Sequence, residues 1–568
     1  MRILVCMSVV PDTTSKITFK DNNSKFNTDG VQFIINPYDE LALTKALDIA
    51  EQNNGTVTII NVGLADAEPS IRKALAIGAN DAIRINAEPK DALFVATQIA
   101  KIANENNFDI ILTGRESIDF NGGLVCGLLG ELLNIPSINV ATKIELQNGK
   151  IIALRDIDGG HEELECSMPC VISAQKDLCE PRIPNMRGIM SARTKPLVVA
   201  EPTLENDFAE YVSFELPEPK QGVRMIDSAN SGELLDLLRN EKKLNKRIIM
   251  SILVFAEHDK GIFKKSSFEA LTYAQDLATT KNLTVTAVVI GAAISNLNEL
   301  GNHGANKVIS VKGNNLDTFS AEAFGNVLAK VAGEENASVV IISNTYSGKS
   351  IAPRVAVKLR AGIVSGVISL PKDDFSVKKT AYSNKATAVV KLSSDKKVFS
   401  LVPNSYEVKN FGFTAEIKEI TIDIESSAIN TQSLNISKAS GKIPLTEAEI
   451  VVSGGRGMKG PENWGMIEEL AGLLGAATAC SKPVADMDWR PHEEHVGQTG
   501  ITIKPNVYLA IGISGAIQHL AGVSSSKVIC VINKDAEAPF FKAADYGIVG
   551  DAFEVLPQLI AKAKQLKN

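Results

Sequence analysis

The chain carries one strand-and-helix plan twice, and this duplication constrains its fold more than any other feature. The matching apolar strands occupy residues 3–7, 57–63 and 108–114 in the first copy and residues 251–255, 283–291 and 337–343 in the second. Stretches with helical apolar periodicity lie between the strands, and such alternation is typical of a parallel sheet. Each copy has an apolar face to bury. We therefore predict an α/β fold in which two parallel-sheet, nucleotide-binding-like domains pack as a pseudo-two-fold pair.

Length, charge and cysteine usage exclude several classes of protein. A chain of 568 residues suggests three or four domains, since domains average roughly 100–200 residues. Its 59 basic and 66 acidic residues give a formal net charge of −7, which does not favour nucleic-acid binding. The seven cysteines lack CxxC spacing, which favours a reducing cytoplasm and argues against a metal site. No apolar run reaches about 18 residues, and the chain enters a strand directly after Met1, so we expect a cytoplasmic protein without a leader or membrane span.

Residues 445–568 contain three glycine-rich runs beside polar side chains. The first run, residues 451–457, reads as an apolar strand that enters a glycine turn before a helix. In such a turn, backbone N–H groups and the guanidinium of Arg456 can face a phosphate. Glycine is expected there because a Cβ would hold a diphosphate away from the backbone. A tight turn with a surface arginine is the alternative interpretation of this run alone.

The other two runs add groups that suit a planar heterocycle. Gln498 and Thr499 supply an amide and a hydroxyl on a loop, although an ordinary β-turn would have the same composition. Ser514, Gln518 and His519 follow an apolar strand that ends in glycine. Polar side chains at the carboxyl ends of parallel strands are where open α/β sheets bind their ligands. A histidine in this position is otherwise more often a packing or surface residue.

Five motifs of this last unit stand in the order found in the α subunit of the electron transfer flavoprotein. They occupy residues 453–457, 497–500, 512–522, 532–535 and 544–547. Residues 445–568 therefore resemble the doubly wound α/β FAD-binding domain of that family, and the resemblance implies a bound FAD. The positions that correspond to the family's FAD contacts are Arg456, Gly457, Ser481, Lys482, Gln498, Thr499, Gly512, Ser514, Gln518, His519, Asn533 and Asp551.

One of these positions departs from the family pattern. The family usually has arginine after the serine, where this chain has Lys482. Lysine keeps the positive charge but lacks the planar stacking surface and the fork of donors. We expect FAD binding to survive this change and the flavin potential to differ. Lys482 and His519 are the predicted positive groups near the reactive ring.

The first copy resembles the β subunit of the same family. The resemblance rests on residues 156–160 and on residues 180–193, which correspond to the family's recognition loop for partner dehydrogenases. Counted along that loop, the apolar anchor position falls on Met186. A proline-containing surface loop with one exposed methionine is the alternative interpretation.

The β resemblance also implies a second nucleotide. The corresponding positions are Asn36, Pro37, Val62, Gly63, Asp119, Gly122 and Gly123. Relatives usually place Gln and Thr where this chain has Leu124 and Val125, so side-chain phosphate ligands are missing. Backbone N–H groups of the Gly122–Gly123 turn at a helix start can still take a phosphate, although a plain helix-capping turn would look the same. We expect AMP in preference to a second FAD.

The chain is thus predicted to be a β-like half fused to an α-like half. We place a β-like domain at 1–200, a docking arm and linker at 201–249, an α-like amino-terminal domain at 250–437 and an FAD-binding domain at 445–568. The arm includes a predicted short helix at 232–238 and a charged linker at 241–247. Residues 434–445 contain hinge-compatible residues and are expected to connect two domains, although a plain interdomain loop would have the same composition.

Three functions remain open from the sequence. The leading one is an FAD-based electron carrier for fatty acid β-oxidation. It accepts electrons from flavin dehydrogenases, expected to be of the acyl-CoA type, and passes them to a membrane quinone oxidoreductase of the respiratory chain. The second is an electron-bifurcating flavoprotein that uses NADH and a second FAD. The third is an adenine-nucleotide-binding protein without redox work. The fused chain is expected to act as a monomer equivalent to an αβ heterodimer.

Overall fold

The computed structural model describes most of the chain. The described residues are 1–203, 209–216, 224–225, 251–281, 283–291, 294, 296–382, 386–438, 444–498 and 500–567. The predicted helix at 232–238, the predicted linker at 241–247 and Thr499 lie outside these ranges.

The first half alternates strands and helices as the sequence predicts. Its strands are β1 (Arg2–Cys6), β2 (Val9–Pro11), β3 (Phe19–Lys20), β4 (Lys25–Phe26), β5 (Phe33–Ile35), β6 (Thr56–Val62), β7 (Asp81–Ile85), β8 (Ile110–Gly114), β9 (Ser137–Gln147), β10 (Lys150–Ile157), β11 (Gly160–Ser167), β12 (Cys170–Ala174) and β13 (Leu197–Ala200). Its helices are α1 (Pro37–Gln52), α2 (Glu68–Ile77), α3 (Ala92–Asn106), α4 (Val125–Leu133) and α5 (Met186–Ala192). Local signals explain the helix starts, since Pro37 opens α1 and the Asp91 side chain accepts a hydrogen bond from Phe94 N at the start of α3.

Two strands follow, and then the second half repeats the plan. The two strands are β14 (Ala209–Glu215) and β15 (Arg224–Met225). The strands of the second half are β16 (Ile252–Phe255), β17 (His258–Asp259), β18 (Ile262–Phe263), β19 (Val285–Ile290), β20 (Lys307–Lys312), β21 (Val339–Ser343), β22 (Gly362–Val367), β23 (Ser376–Ala381), β24 (Ala386–Leu392), β25 (Lys397–Leu401), β26 (Glu416–Thr421) and β27 (Thr431–Lys438). Its helices are α6 (Lys265–Lys281), α7 (Glu299–Asn302), α8 (Ala321–Glu334) and α9 (Tyr346–Leu359).

The two large sheets have matching strand orders. The first is β13-β7-β6-β1-β8-β12-β9-β10-β11-β27, and the second is β26-β20-β19-β16-β21-β25-β22-β23-β24-β14. In each sheet the first seven strands are parallel and the remaining pairs are antiparallel. The predicted duplication is therefore confirmed strand by strand.

Each half completes the sheet of the other. Strand β14 follows the first half in the chain but pairs with β24 of the second, from Ala209 opposite Leu392 to Glu215 opposite Thr387. Strand β27 follows the second half but pairs with β11 of the first. Residues 434–438, which the sequence predicts to be part of a hinge-compatible connection, therefore belong to a strand of this sheet. The tenth strand of each sheet is exchanged across the pseudo-two-fold axis.

The two halves share one core. Helices α3 and α4 of the first half and α8 and α9 of the second lie between the two sheets, where their apolar faces form a single buried cluster with strands of both halves. Helices α1 and α2 cover the outer face of the first sheet, and α6 covers that of the second. The predicted face-to-face packing is therefore correct, and it buries apolar surface that neither half could bury alone.

The last unit is a separate doubly wound domain. Its strands are β28 (Ile450–Gly454), β29 (Ala477–Cys480), β30 (Val507–Ile511), β31 (Val528–Asn533) and β32 (Tyr546–Val549), and its helices are α10 (Gly465–Leu474), α11 (Lys482–Ala485), α12 (Ile517–Val523) and α13 (Ala552–Lys567). The parallel sheet has the order β29-β28-β30-β31-β32-β15, so the short strand β15 reaches this domain from the predicted docking arm. Apolar clusters cover both faces of the sheet. No helix in the described ranges is both long enough and apolar enough to cross a membrane.

The contact between α4 and α9 gives a test of the shared core. A Cβ at Gly127 would lie 2.7 Å from Cγ of Pro353, too close for real atoms. We expect Gly127→Ala to lower the free energy of unfolding of the paired halves by about 1–3 kcal/mol because it overpacks this crossing. Gly333→Ala is the matched control, since a Cβ at Gly333 in α8 meets nothing within 4 Å. Denaturant midpoints followed by circular dichroism measure both, and equal midpoints for the two variants would contradict the close crossing.

Candidate functional site

The carboxyl edge of the third sheet collects most of the predicted site residues. Arg456 and Gly457 follow β28, Ser481 and Lys482 follow β29, and Gly512 and Ser514 follow β30. Asn533 ends β31, and Asp551 lies just after β32. Because all five strands are parallel, these residues lie along one edge. Strands β28 and β30 are neighbours where the strand order reverses, which is the position at which open α/β sheets bind ligands.

Glycines at this edge are required by contacts within the protein. Gly457 N donates to Gly512 O at 3.1 Å, and a Cβ at Gly457 would lie 2.6 Å from Gly512 Cα. Gly512 itself has φ +61°, which favours glycine. A Cβ at Gly455 would lie 2.3 Å from Gly512 O. The sequence suggests that these glycines leave space for a ligand. The structure shows that glycine is required here because the backbones of Gly455 and Gly457 lie against Gly512.

A chain of hydrogen bonds fixes the neighbouring turns. Ser481 N donates to Gly454 O at 3.1 Å, and the side chain of Asn533 donates to Ile513 O at 3.0 Å. Asp551 accepts from Phe553 N at 3.0 Å and forms an ion pair with Lys459 at 3.3 Å. The hydrogen bond from Phe553 N is the main reason that the pKa of Asp551 lies below its ordinary value. The turns after β28 to β32 thus form one connected surface.

Two cations of the predicted site are exposed. Arg456 is exposed in the turn after β28. Lys482 begins α11 and pairs with Asp486 one turn later at 2.7 Å, with 53% of its side chain exposed. Ser481 and Ala516, which precede α11 and α12, make no side-chain cap hydrogen bond. The edge therefore presents exposed guanidinium and ammonium groups beside helix starts that no side chain caps.

His519 is buried and neutral in this arrangement. Its Nε2 lies 2.8 Å from the hydroxyl of Tyr508, and only 7% of the residue is exposed. Burial lowers the pKa of His519 to about 4, so the imidazole carries no charge at neutral pH. Its predicted role as a positive group does not agree with this burial. Lys482 is the charged member of the predicted pair.

The loop before β30 joins this domain to the first half. Gln498 N donates to Gln518 O at 2.7 Å, which brings two predicted residues together, and Gln498 O accepts from the hydroxyl of Tyr38 at 3.0 Å. In the same loop, Nδ1 of His495 lies 3.2 Å from Nζ of Lys176. The pKa of His495 is lowered to about 3. Burial is the larger cause, and the charge of Lys176 is the next. The sequence gives no sign of Tyr38 or Lys176 at this site, because both lie in another unit.

His161 adds a charged contact between the same two units. Its Nδ1 lies 3.2 Å from Asp156 of the first half, and its Nε2 lies 2.9 Å from Glu493 of the third unit. The hydrogen bond to Asp156, supported by that to Glu493, raises the pKa of His161 to about 9. The protonated imidazole therefore holds two carboxylates of different units at neutral pH.

Comparison with known proteins agrees with this geometry. Residues 24–205 and 252–425 both match the electron transfer flavoprotein domain, and residues 444–524 match the electron transfer flavoprotein FAD-binding domain. The chain belongs to the electron transfer flavoprotein family. The double match confirms that the family's domain occurs once in each half, and the third unit is the family's FAD-binding domain.

Individual relatives in the family match slightly more than half of the chain. The electron transfer flavoprotein α subunits of Thermoanaerobacterium thermosaccharolyticum and Bacillus subtilis are each 37% identical to it, over 324 and 321 residues. Protein FixB of Clostridium saccharobutylicum is 34% identical over 322 residues. Each alignment covers 56% of this chain and 96–98% of the relative. This coverage is consistent with the predicted fusion of a β-like half to an α-like half.

The residues predicted for a second nucleotide follow strand ends of the first half. Val62 ends β6 and Gly63 follows it, while Pro37 is the first residue of α1. The Asn36 side chain is committed within the fold, since it donates to Glu116 O at 2.9 Å and accepts from Ile118 N at 3.2 Å. Gly63 O likewise accepts from Arg84 at 2.9 Å. Asn36 therefore positions the loop after β8 instead of offering free polar atoms.

The rest of that loop is more open. Asp119 accepts from Phe120 N at 2.8 Å, and burial raises the pKa of the Asp119 carboxyl. A Cβ at Gly122 would meet nothing within 4 Å, and Gly123 adopts φ +64° two residues before α4 begins. The glycine turn is thus the part of the predicted second site with room beside its backbone.

Met186 lies in an exposed apolar patch. It begins α5, which Asn185 caps by accepting a hydrogen bond from Gly188 N at 2.8 Å. Gly188 packs on α2, since a Cβ there would lie 2.2 Å from Ala76 O. Ile183, three residues before α5, and Met186 and Met190 within it are 89%, 74% and 71% exposed. We call these three residues the docking patch.

The buried histidine gives a pH-dependent prediction. Because the folded pKa of His519 is about 4, below the unfolded value of about 6.5, the unfolded state binds more protons between these limits. The stability of the third unit should therefore fall as pH drops from about 6.5 towards 4, and His519→Gln should flatten this dependence. Trp464 and Trp489 are the two tryptophans of the chain and both lie in this unit, so their fluorescence reports its unfolding. Exposed His492→Gln is the control and should leave the slope unchanged; an unchanged slope in His519→Gln would contradict the assignment.

Proposed function

We propose that the chain is a redox carrier that binds one FAD along the carboxyl edge of the third sheet. The observation that carries this proposal is the position of the predicted residues at the reversal of strand order between β28 and β30, in a unit that matches the family's FAD-binding domain. The residues fit the group. Exposed Arg456 and two helix starts without side-chain caps suit the diphosphate, and the paired Gln498–Gln518 segments suit the ring.

The side chains then have distinct tasks. FAD, when bound, supplies one- and two-electron redox chemistry. Lys482 would stabilise negative charge on the ring through its ammonium group. Neutral His519, whose Nε2 contacts the hydroxyl of Tyr508, would offer a hydrogen bond from its other ring nitrogen. Thr499, Ser481, Ser514, Asn533 and Asp551 complete the proposed contacts, with Asn533 and Asp551 towards the adenosine. No nucleophile or general acid is required.

The docking patch is the proposed contact with electron donors. Three large apolar side chains exposed together are unusual on a protein surface and suit a partner that buries them. The proposed donors are flavin dehydrogenases of the acyl-CoA type, and the proposed acceptor is a membrane quinone oxidoreductase. Met186 is the proposed anchor.

The first half is proposed to bind AMP near the Gly122–Gly123 turn. In the alternative, this half holds a second FAD, which NADH reduces. Counting the nucleotides that are released on denaturation distinguishes this alternative from AMP binding. One FAD and one AMP per chain support the carrier, whereas two FAD per chain with rapid bleaching by NADH would replace it with an electron-bifurcating enzyme. A protein that takes up no FAD would leave the non-redox nucleotide-binding alternative.

Lys482 provides the first test of the flavin site. We expect Lys482→Arg to retain FAD and to raise the first reduction potential of the bound flavin by on the order of 50 mV, because arginine adds donors for a negatively charged ring. Spectroelectrochemistry measures the potential, and absorbance gives the FAD content. Lys542→Arg, on an exposed side chain, is the matched control. Loss of flavin, or equal potentials in both variants, would argue against the assigned position.

Met186 provides the test of the docking patch. We expect Met186→Ala to keep the FAD spectrum and to slow reduction of the protein by an acyl-CoA dehydrogenase at least roughly tenfold. The reason is that truncating a central apolar anchor typically costs about 2 kcal/mol or more of binding free energy. Stopped-flow reduction by the dehydrogenase measures this rate at varied concentration. Ile262→Ala removes a side chain that is 75% exposed elsewhere and serves as the control. Equal kinetics in the two variants would refute the anchor role.

A further inference from the structure

A cavity of about 630 Å³ lies between the two halves. Strands β9, β10 and β11 of the first half line one side, and the start of α8, helix α9 and the exchanged strand β27 line the other. Among the described residues, none of those proposed for FAD or AMP lines this cavity. Its volume falls in the range of roughly 300–1,000 Å³ that is typical of small-molecule sites.

The inner wall of this cavity is a cluster of buried polar side chains. Ser350 and Arg354 lie one turn apart on α9, and Ser137 and Asn139 lie on the same face of β9. Arg354 Nη2 donates to Ser137 Oγ at 2.7 Å, and Asn139 Nδ2 lies 3.4 Å from Ser350 Oγ. Arg155 Nη1 lies at the same distance from Ser350 Oγ. All five residues are at most 9% exposed.

Two atoms of this cluster have no hydrogen-bond partner within the described part of the chain. They are Oδ1 of Asn139, which is an acceptor, and Nε of Arg354, which is a donor. Leaving a buried polar atom unpaired costs about 1–3 kcal/mol, so such an atom points to a partner outside the chain. A hydroxyl group suits both atoms, because it can donate to the first and accept from the second.

The arginines of the inner wall already have carboxylate partners. Arg155 Nη2 lies 2.7 Å from Glu162 Oε2, and both side chains are almost completely buried. Arg354 Nη1 lies 3.6 Å from Glu131 Oε2, and Lys358 contacts the other oxygen of the same carboxylate. These two ion-pair groups together carry one excess positive charge.

Two further carboxylates offset this excess. Glu322, in the first turn of α8, is buried and accepts from Asn430 N at 2.7 Å. Asp317 lines the cavity and is exposed. Within the described ranges neither carboxylate forms an ion pair with a cation. An anion would therefore gain little net attraction, and a cation would meet the guanidinium groups of the inner wall. The balance of charges favours an uncharged ligand.

The outer lining adds hydroxyl and amide groups around one aromatic ring. Thr318 precedes α8, and Gln432 and Ser433 lie on β27. Phe319 also lines the cavity, and its ring centroid lies 5.8 Å from Cζ of Arg155. Hydroxyl and amide groups can both donate and accept, and the ring offers an apolar surface. This combination suits a molecule with several hydroxyl groups on a carbon framework, such as a sugar.

We propose that this cavity binds an uncharged, polyhydroxylated molecule of the size of a mono- or disaccharide. Its hydroxyl groups pair with Asn139 and Arg354 at the inner wall and with Thr318 and Gln432 at the outer lining. Both halves and the exchanged strand β27 contribute to the site, so the ligand also strengthens the association of the halves. The site is independent of the proposed FAD, AMP and docking sites.

Saturation-transfer NMR on the full-length, FAD-loaded protein tests this site with D-glucose, maltose and myo-inositol as neutral probes. We expect at least one of them to bind with a Kd in the millimolar range or below. D-glucosamine and D-glucose 6-phosphate carry a positive and a negative charge on the framework of glucose. Each should displace the bound neutral probe at least roughly tenfold less effectively than unlabelled glucose does, because its charge is not matched in the cavity.

Three variants locate the binding. Asn139→Leu keeps the size of the side chain but removes the unpaired acceptor, and it should weaken binding of the neutral probe at least roughly tenfold. Gln432→Ala changes only an exposed side chain at the outer lining, so it carries the test if Asn139→Leu does not fold, and it should weaken binding several-fold. Gln147→Ala, on an exposed side chain of β9 outside the cavity, is the matched control and should bind as the wild type does.

Three results would overturn this inference. The first is the absence of saturation transfer to all three neutral probes at tens of millimolar. The second is equal affinity in Gln432→Ala and Gln147→Ala, which would place any binding elsewhere. The third is tighter binding of either charged analogue than of glucose, which would contradict an uncharged ligand. The FAD spectrum of each variant is expected to match that of the wild type and reports the flavin site separately.

Discussion

The burial of α3, α4, α8 and α9 between two sheets is the constraint on which the rest of the molecule depends. Each sheet has one face covered by its own outer helices, and the other face is covered only when the two halves come together. This packing sets α4 beside α9 and thereby brings the carboxyl ends of β8 and β21 to one place. The FAD-binding domain rests on the surface so formed, through contacts such as Tyr38 with Gln498.

Charges at the junction of the three units specify how they meet. Lys264 lies 3.1 Å from Asp158 of the first half, 3.0 Å from Glu257 of the second and 2.8 Å from Glu447 at the start of the third unit. These carboxylates raise the pKa of Lys264 although burial opposes the charged form. Buried ion clusters add little net stability, yet breaking one is costly. Such a cluster therefore favours one relative placement of the units over others.

Local apolar patterns in the sequence are enough to predict much of the fold. Apolar periodicity gave the strands and helices, and the repeat of that periodicity gave the paired halves. Polar residues such as Ser481 and Ser514 could be assigned to one edge because they lie within three residues of the ends of strands that are parallel. The exchange of β14 and β27 could not be predicted in this way, since local periodicity shows that a segment is a strand but does not name its partner. The same limit applies to Tyr38 and Lys176, which contact a unit other than their own, and to the mutual contact of Gly457 and Gly512.

The exchanged strands have a consequence for how the protein is made. When the ribosome has finished β11, the residues that will pair with its outer edge belong to β27 and have not yet been synthesised. Strand β14 likewise has no partner until β24 has been synthesised. An open strand edge invites pairing with other chains, so a nascent first half is exposed to misassembly during this interval. If the two halves were separate polypeptides, the time for which this edge stays unpaired would depend on the concentration of the partner. In this single chain, β27 follows after a fixed period of translation.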